Sequence, residues 1–194
     1  MRLIPFFAVL LILPVSLWAQ AYQLSDFKMS ISGTSTLHDW TSTVNEVQAA
    51  SKLVWEADRL TGIESLEVKV RSGSIISGKG SIMDNKTWTA LKKEEFPYII
   101  FRLKKAVVSV SAPYTVTAFG DLSIAGTARP VELQAKGVLK PGGQIVFSGR
   151  YQLLMTDYGI EPPTALMGSL QTGDAITVDF EVAFLPSVHS LGMD

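Results

Sequence analysis

ITVDFEVAF, from Ile176 to Phe184, decides the fold. Ile176, Val178, Phe180, Val182 and Phe184 alternate with Thr177, Asp179 and Glu181. Successive side chains of an extended chain point to opposite faces, so this period of two builds a strand with one apolar face and one wet face. The pattern recurs in Leu66, Val68 and Val70 against Glu67, Lys69 and Arg71, and in Val131, Leu133 and Ala135 against Glu132, Gln134 and Lys136. Further strands are expected at Phe27 to Gly33, Thr41 to Trp55, Tyr98 to Leu103, Val107 to Val110, Tyr114 to Ile124 and Ile145 to Met155. That makes about eight strands, the number at which a closed antiparallel sheet leaves an interior for side chains or one small ligand. The expectation is an all-β, eight-stranded antiparallel barrel. Val68, Val70, Phe101, Leu122, Leu133, Phe147, Val178, Phe180 and Val182 should line its interior.

Only Ile82 to Lys93 reads as a helix, with Ser81 as its cap, Asp84 in its first turn, and Met83, Ala90 and Leu91 at helical spacing. Pro97 stops it. The connections are short turns such as Pro141-Gly142-Gly143, except for Asp157 to Gly173, which is long and stiffened by Pro162-Pro163. Its Ile160, Leu166, Met167 and Leu170 are too apolar for a solvated loop, so the segment is expected to close over the barrel mouth as a lid.

The N-terminus reads as a secretory signal, with Arg2 before an apolar run from Leu3 to Leu17 and small residues at Ala19 and Ala21. Cleavage is expected after Ala21, which gives a signal peptide at 1–21, one domain at 22–186 and a disordered C-terminal tail at 187–194. The protein should then be periplasmic or secreted, with no stable membrane span after cleavage; a retained anchor is the alternative. The chain has no cysteine, so disulfides, thiolate metal sites and lipoprotein attachment are excluded. A net charge of −1 with scattered Lys and Arg argues against nucleic acid as a partner.

Chemistry-bearing residues are few. His38 and His189 are the two histidines, with no metal-ligand spacing around either, so neither a metal nor a cofactor is expected. His38-Asp39-Trp40 is the most distinctive polar cluster. It reads either as a head-group or acid/base site, or as a turn in which Asp39 accepts backbone hydrogen bonds and Trp40 plugs the barrel end. Arg129 suits a bidentate grip on a phosphate or carboxylate. Asp157 and Tyr158 form a polar pair at a strand end. His38, Trp40, Arg129 and Tyr158 are therefore the candidate head-group residues, and no catalytic residue is assigned.

Three segments in order resemble the YceI-like family: LKKEEFPYIIFRL (Leu91 to Leu103), GDLSIAGTARPVEL (Gly120 to Leu133) and GDAITVDFEVAF (Gly173 to Phe184). The resemblance spans Phe27 to Phe184. It implies a lipocalin-like barrel with one short α-helix closing one side, usually periplasmic, whose lumen in some members carries a polyisoprenoid, either a quinone tail or an isoprenyl phosphate. Longer members begin with an Asp-x-x-His-Ser stretch that Tyr22 to Met29 lacks, and GTSTLHDW occupies the neighbouring region here. The leading expectation is an exported, non-enzymatic protein binding an isoprenoid or other long-chain lipid, with a homodimer admitted. The alternatives are a ligand-free structural or partner-binding barrel, and an enzyme using His38 with Asp39 or Asp157.

Overall fold

The computed structural model describes residues 18–109, 111–165 and 170–187. Most of the expected signal peptide, the tail beyond 187 with His189, and the expected lid residues Leu166 and Met167 lie outside the described residues. The strands are β1 (Trp18–Ser35), β2 (Trp40–Val44), β3 (Val47–Glu56), β4 (Arg59–Arg71), β5 (Ile75–Ile76), β6 (Tyr98–Val108), β7 (Tyr114–Ile124), β8 (Thr127–Leu139), β9 (Ile145–Leu154), β10 (Thr164–Ala165) and β11 (Leu170–Pro186), with the helix α1 (Ser81–Ala90) before β6.

Eight of these strands close a barrel. β1, β3, β4, β6, β7, β8, β9 and β11 pair antiparallel in that order, and β11 returns to β1. β2 and β3 keep one register against β1, from Gly33↔Trp40 to Trp18↔Trp55, so they are one long strand interrupted at Asn45 and Glu46. This explains why Thr41 to Trp55 reads as a single strand. Its interruption comes where Asn45 N donates to Ser74 O and Arg71 N donates to Glu46 O, which ties the bend to the end of β4. Val107 does not start a new strand, because a bulge between Leu103 and Lys105 carries β6 through to Val108. Such bulges, also present in β1 and between β3 and β4, bend strands around a closing sheet.

Register is pinned from both sides. Outside, Arg150 Nε bonds Asp179 at 2.7 Å and Arg102 Nε bonds Glu67 at 2.7 Å, each across directly paired strands. Being exposed and screened by solvent, these pairs serve to fix alignment more than stability. Inside, Phe180 lies over its partner Gly149, where an added Cβ would stand 2.5 Å from the ring. A slip by one residue would drive that ring into solvent.

One end of the barrel is shut by side chains. Leu53, Leu60, Ile145 and Phe184 are fully buried there, Tyr22 stacks on Trp55 at 6.2 Å, and the Phe147 and Phe184 rings meet edge to face at 6.2 Å. Leu60 N donates to the Tyr114 hydroxyl at 3.1 Å, which satisfies a backbone group that the hairpin end would otherwise bury bare.

The opposite end carries α1. The helix starts one residue before expectation and ends at Ala90, and its N-cap is Gly80 with φ of 93°, not Ser81. Asp84 reaches back from the first turn instead, accepting from Ser77 N and Ser77 Oγ, both at 2.7 Å. Trp88 Nε1 donates to Ile75 O at 3.0 Å and hangs the helix on β5. Among the described residues no helix is long and apolar enough to cross a membrane.

Candidate functional site

The inward faces of the eight strands enclose a cavity of about 310 Å³ that opens at the α1 end. This lies at the lower end of the range for small-molecule sites. Val68, Val70, Phe101, Leu122, Leu133, Phe147, Val178, Phe180 and Val182 all lie on its wall. Phe147, Val182 and Phe184 form its floor, where they are buried, whereas Val68, Leu122, Leu133, Val178 and Phe180 higher up remain half-buried. They are accessible because the space they face is not filled by the protein's own side chains.

Ile176 and Phe184 share the face of Phe180 and also line the lumen. Alternation alone identifies them. Leu153, Met155, Leu91 and Ile99 belong to the wall as well, around a second apolar cluster beneath the mouth. A polar atom in the lower wall is accounted for: Ser51 Oγ donates to Ser65 O at 2.8 Å.

The four candidate head-group residues fall into two places. His38 and Trp40 stand at the mouth, where Lys79, Met83 and Lys86 also line the opening. Arg129 and Tyr158 sit in a cleft at the side of the barrel with Asp157. His38 Nδ1 donates to the backbone carbonyl of Asp39 at 2.9 Å, so the contact between these neighbours is not to the Asp39 carboxylate. A carbonyl only accepts, so Nδ1 carries the proton in this contact.

The turn before Trp40 is made by Ser35, in place of the expected Asp39. Ser35 Oγ donates to His38 O at 2.7 Å and accepts from His38 N at 3.3 Å and Leu37 N at 3.4 Å. Trp40 is held by its Nε1, which donates to Thr34 O at 3.1 Å, and by its ring lying on Gly33, where a Cβ would meet it at 2.6 Å.

The segment after β9 is ordered from its first turn. Thr156–Tyr158 forms a 3-10 turn that ends at Gly159 with φ of 66°. Asp174, which composition gave no reason to single out, holds it: Thr156 N donates to Oδ1 at 2.9 Å and Thr156 Oγ1 to Oδ2 at 2.5 Å. Those bonds, the hydroxyl first, keep the Asp174 carboxyl below its ordinary range. Arg129 Nε donates to Asp157 O at 2.8 Å. Tyr158 is buried, and burial with neighbouring Tyr151 and Asp157 pushes its phenol up to about 12.

Ile160 is buried and faces the lumen, as does Pro163. Leu166 and Met167 lie outside the described residues. Leu170 is not loop but the first residue of β11, and β10 pairs with it through Ala165. Lys86 Nζ donates to Thr164 O at 2.6 Å, joining α1 to this segment across the mouth. Among the described residues no group of three or more His, Cys, Asp or Glu side chains comes together for a metal.

The same fold occurs in solved structures of low sequence identity. BcnA of Burkholderia cenocepacia superposes with a TM-score of 0.65 at 12% identity, covering 81% of this chain and 95% of that one. A polyisoprenoid binding domain from Saccharophagus degradans, implicated in plant cell wall breakdown, gives 0.66 at 12% identity over 87% of this chain and 99% of that one. A Campylobacter jejuni YCEI protein gives 0.54 at 16% identity over 97% and 94%. No protein with a curated description matches the sequence. The YceI-like domain model matches residues 19–184, nearly the whole barrel from β1 to β11, and the chain belongs to the YceI-like family.

Proposed function

We propose that the protein holds a long-chain isoprenoid, or a lipid of similar build, by its apolar tail in the barrel lumen, as an exported carrier or sequestering protein of the periplasm or cell exterior. The observation that carries this reading is the lumen itself: one continuous apolar cavity, unfilled by side chains and open at one end. Removing apolar surface from water gains roughly 25 cal/mol per Å², so about 300 Å² of tail contributes about 7 kcal/mol before the costs of ordering it. A linear hydrocarbon can use such a site without any polar anchor. The Saccharophagus degradans neighbour, a polyisoprenoid binding domain, supports the ligand class, and the apolar N-terminal run after Arg2 supports export. Binding requires no reaction, and the His38 ring at the mouth, hydrogen-bonded to the Asp39 backbone carbonyl and not to its carboxylate, supports a ligand contact over an acid/base pair.

The test is purification of the full chain from its native cells, organic extraction and mass spectrometry, followed by displacement of a fluorescent isoprenoid from the delipidated protein. The expected result is a tailed lipid at a stoichiometry near one per chain, and saturable displacement. A protein that yields no lipid and takes up no fluorescent isoprenoid would overturn the proposal.

A further inference from the structure

The barrel wall is not hydrogen-bonded all the way to the mouth. β8 pairs with β7 along its length, up to Ile124↔Thr127, and β9 pairs with β11 up to Ala175↔Leu154. Between β8 and β9 the ladder stops at Ala135↔Gly149. Beyond it, residues 127–134 and 150–154 flank a lateral cleft of about 430 Å³. Pro130 has no N–H to offer across this seam, and the turn holding Asp157 and Tyr158 occupies it instead. Tyr151, Leu153 and Ile176 line both the cleft and the lumen, so a single layer of side chains separates the two.

The cleft has the chemistry to receive a charged group that the lumen would reject. Arg129 shares the strand parity of lumen-facing Leu133 and pairs with Leu122 across the sheet. Its Nε is taken by a backbone carbonyl, and among the described residues no carboxylate lies within ion-pair distance of it. Arg71, Arg102 and Arg150, by contrast, each have an acidic partner. Beside it stand two phenols, Tyr151 and Tyr158, which line the cleft and carry hydroxyls able to donate. The Asp157 carboxylate is the opposing charge in the neighbourhood, and it too is solvent-exposed.

We propose that this cleft is the head-group subsite: it takes the anionic oxygens of a phosphate or carboxylate amphiphile, gripped by Arg129, while the tail displaces the dividing side chains of Tyr151 and Leu153 to reach the lumen between β8 and β9. The proposal rests on the lumen binding an apolar tail, as argued above. It accounts for how a charged amphiphile is loaded, since the head group stays at the surface and never crosses the apolar interior, where an unpaired charge is strongly disfavoured.

The experiment compares probes that share a tail: geranylgeranyl phosphate with geranylgeraniol, and hexadecanoate with hexadecanol, each displacing a fluorescent isoprenoid. Wild type should bind the anionic member of a pair about tenfold tighter or more, and the pair that shows this separates phosphate from carboxylate. Arg129→Gln should remove that preference while leaving the alcohols within about twofold, and Arg129→Lys should restore part of it. Tyr158→Phe, which keeps the ring in place, should weaken the anion alone. Equal affinity for acid and alcohol in wild type, an undiminished preference in Arg129→Gln, or loss of the preference in Lys86→Gln at the mouth would each overturn the subsite. Failure of every probe to bind wild type would instead refute the lumen reading on which it rests.

Discussion

Phe180→Asp places a carboxyl on the lumen wall, and its effect can be worked from the position. Phe180 lies over Gly149 and faces the cavity, so its replacement leaves no overlap and the outer pair of Arg150 with Asp179 is untouched. In the empty barrel, water reaching through the mouth can solvate the new carboxylate, and folding should survive. A bound tail expels that water, and the group must then ionise in an apolar wall or take up a proton. Burial raises a carboxyl by up to 3–5 units from about 3.9, and three units correspond to about 4 kcal/mol at 1.36 kcal/mol each. At neutral pH the variant should therefore bind a fluorescent isoprenoid about a thousandfold more weakly. The penalty should shrink about tenfold for each pH unit below 7, because a protonated carboxyl is tolerated and an ionised one is not. Phe180→Asn, which cannot titrate, should show a weaker and pH-independent loss, and His38→Ala at the mouth a modest one. Circular dichroism establishes that each variant is folded before affinities are compared across pH 5 to 8. A folded Phe180→Asp that retains wild-type affinity at pH 7 would refute the lumen as the binding site.

Three further outcomes follow from the geometry. Phe184→Ala, at a position only 1% exposed against Phe147, should lower unfolding free energy in urea by about 3–5 kcal/mol through the cavity it opens. Asp174 titrates below its ordinary range in the folded chain, so its contribution is complete above about pH 4 and is lost as pH falls through the depressed folded value; Asp174→Asn should flatten acid destabilisation measured by thermal melting between about pH 2 and 5. Tyr158 shifts the other way: its stabilising contribution is complete below the ordinary phenol value of about 10 and is lost as pH rises through about 12, and a phenolate absorbance step near 12 should vanish in Tyr158→Phe.

The barrel was legible because its information is local and periodic. The alternation of Ile176 to Phe184 identifies the inner face of β11, and all nine residues drawn from such alternations line one cavity. Elements that depend on partners were less legible. β1 extends from Trp18, well before Phe27, because its N-terminal half is defined by pairing with β3, and a bulge between Leu24 and Asp26 shifts the inward set from Tyr22 and Leu24 to Phe27, Met29 and Ile31, which breaks the period of two in the sequence. Ser81 has the chemistry of a cap, yet the chain leaves Gly80 at positive φ and Asp84 satisfies Ser77, a choice made by a contact seven residues away. The hairpin at Ala57 and Asp58, with φ of 45° and 63°, carries no glycine to announce a turn that ordinarily favours one.

The polar groups at the ends of the strands followed a different logic, because their roles are set by where hydrogen-bond ladders stop. Nothing in TARPVEL or RYQLL says that β8 and β9 part above Ala135 and Gly149; both sequences alternate as well as their neighbours do. Pro130 is the one local hint, since a missing N–H is harmless only at an edge. Once the strands part, Arg129 and Tyr158 are gathered at the side of the barrel, far in sequence from His38 and Trp40, which the β1–β2 turn holds at the mouth. Residues that composition groups as one polar set thus become two sites with different access to solvent. The mouth joins His38 and Trp40 to Lys79, Met83 and Lys86, whereas the side cleft joins an arginine without an acidic partner among the described residues to two phenols. That separation is why a change at His38 and a change at Arg129 should act on different parts of the same ligand.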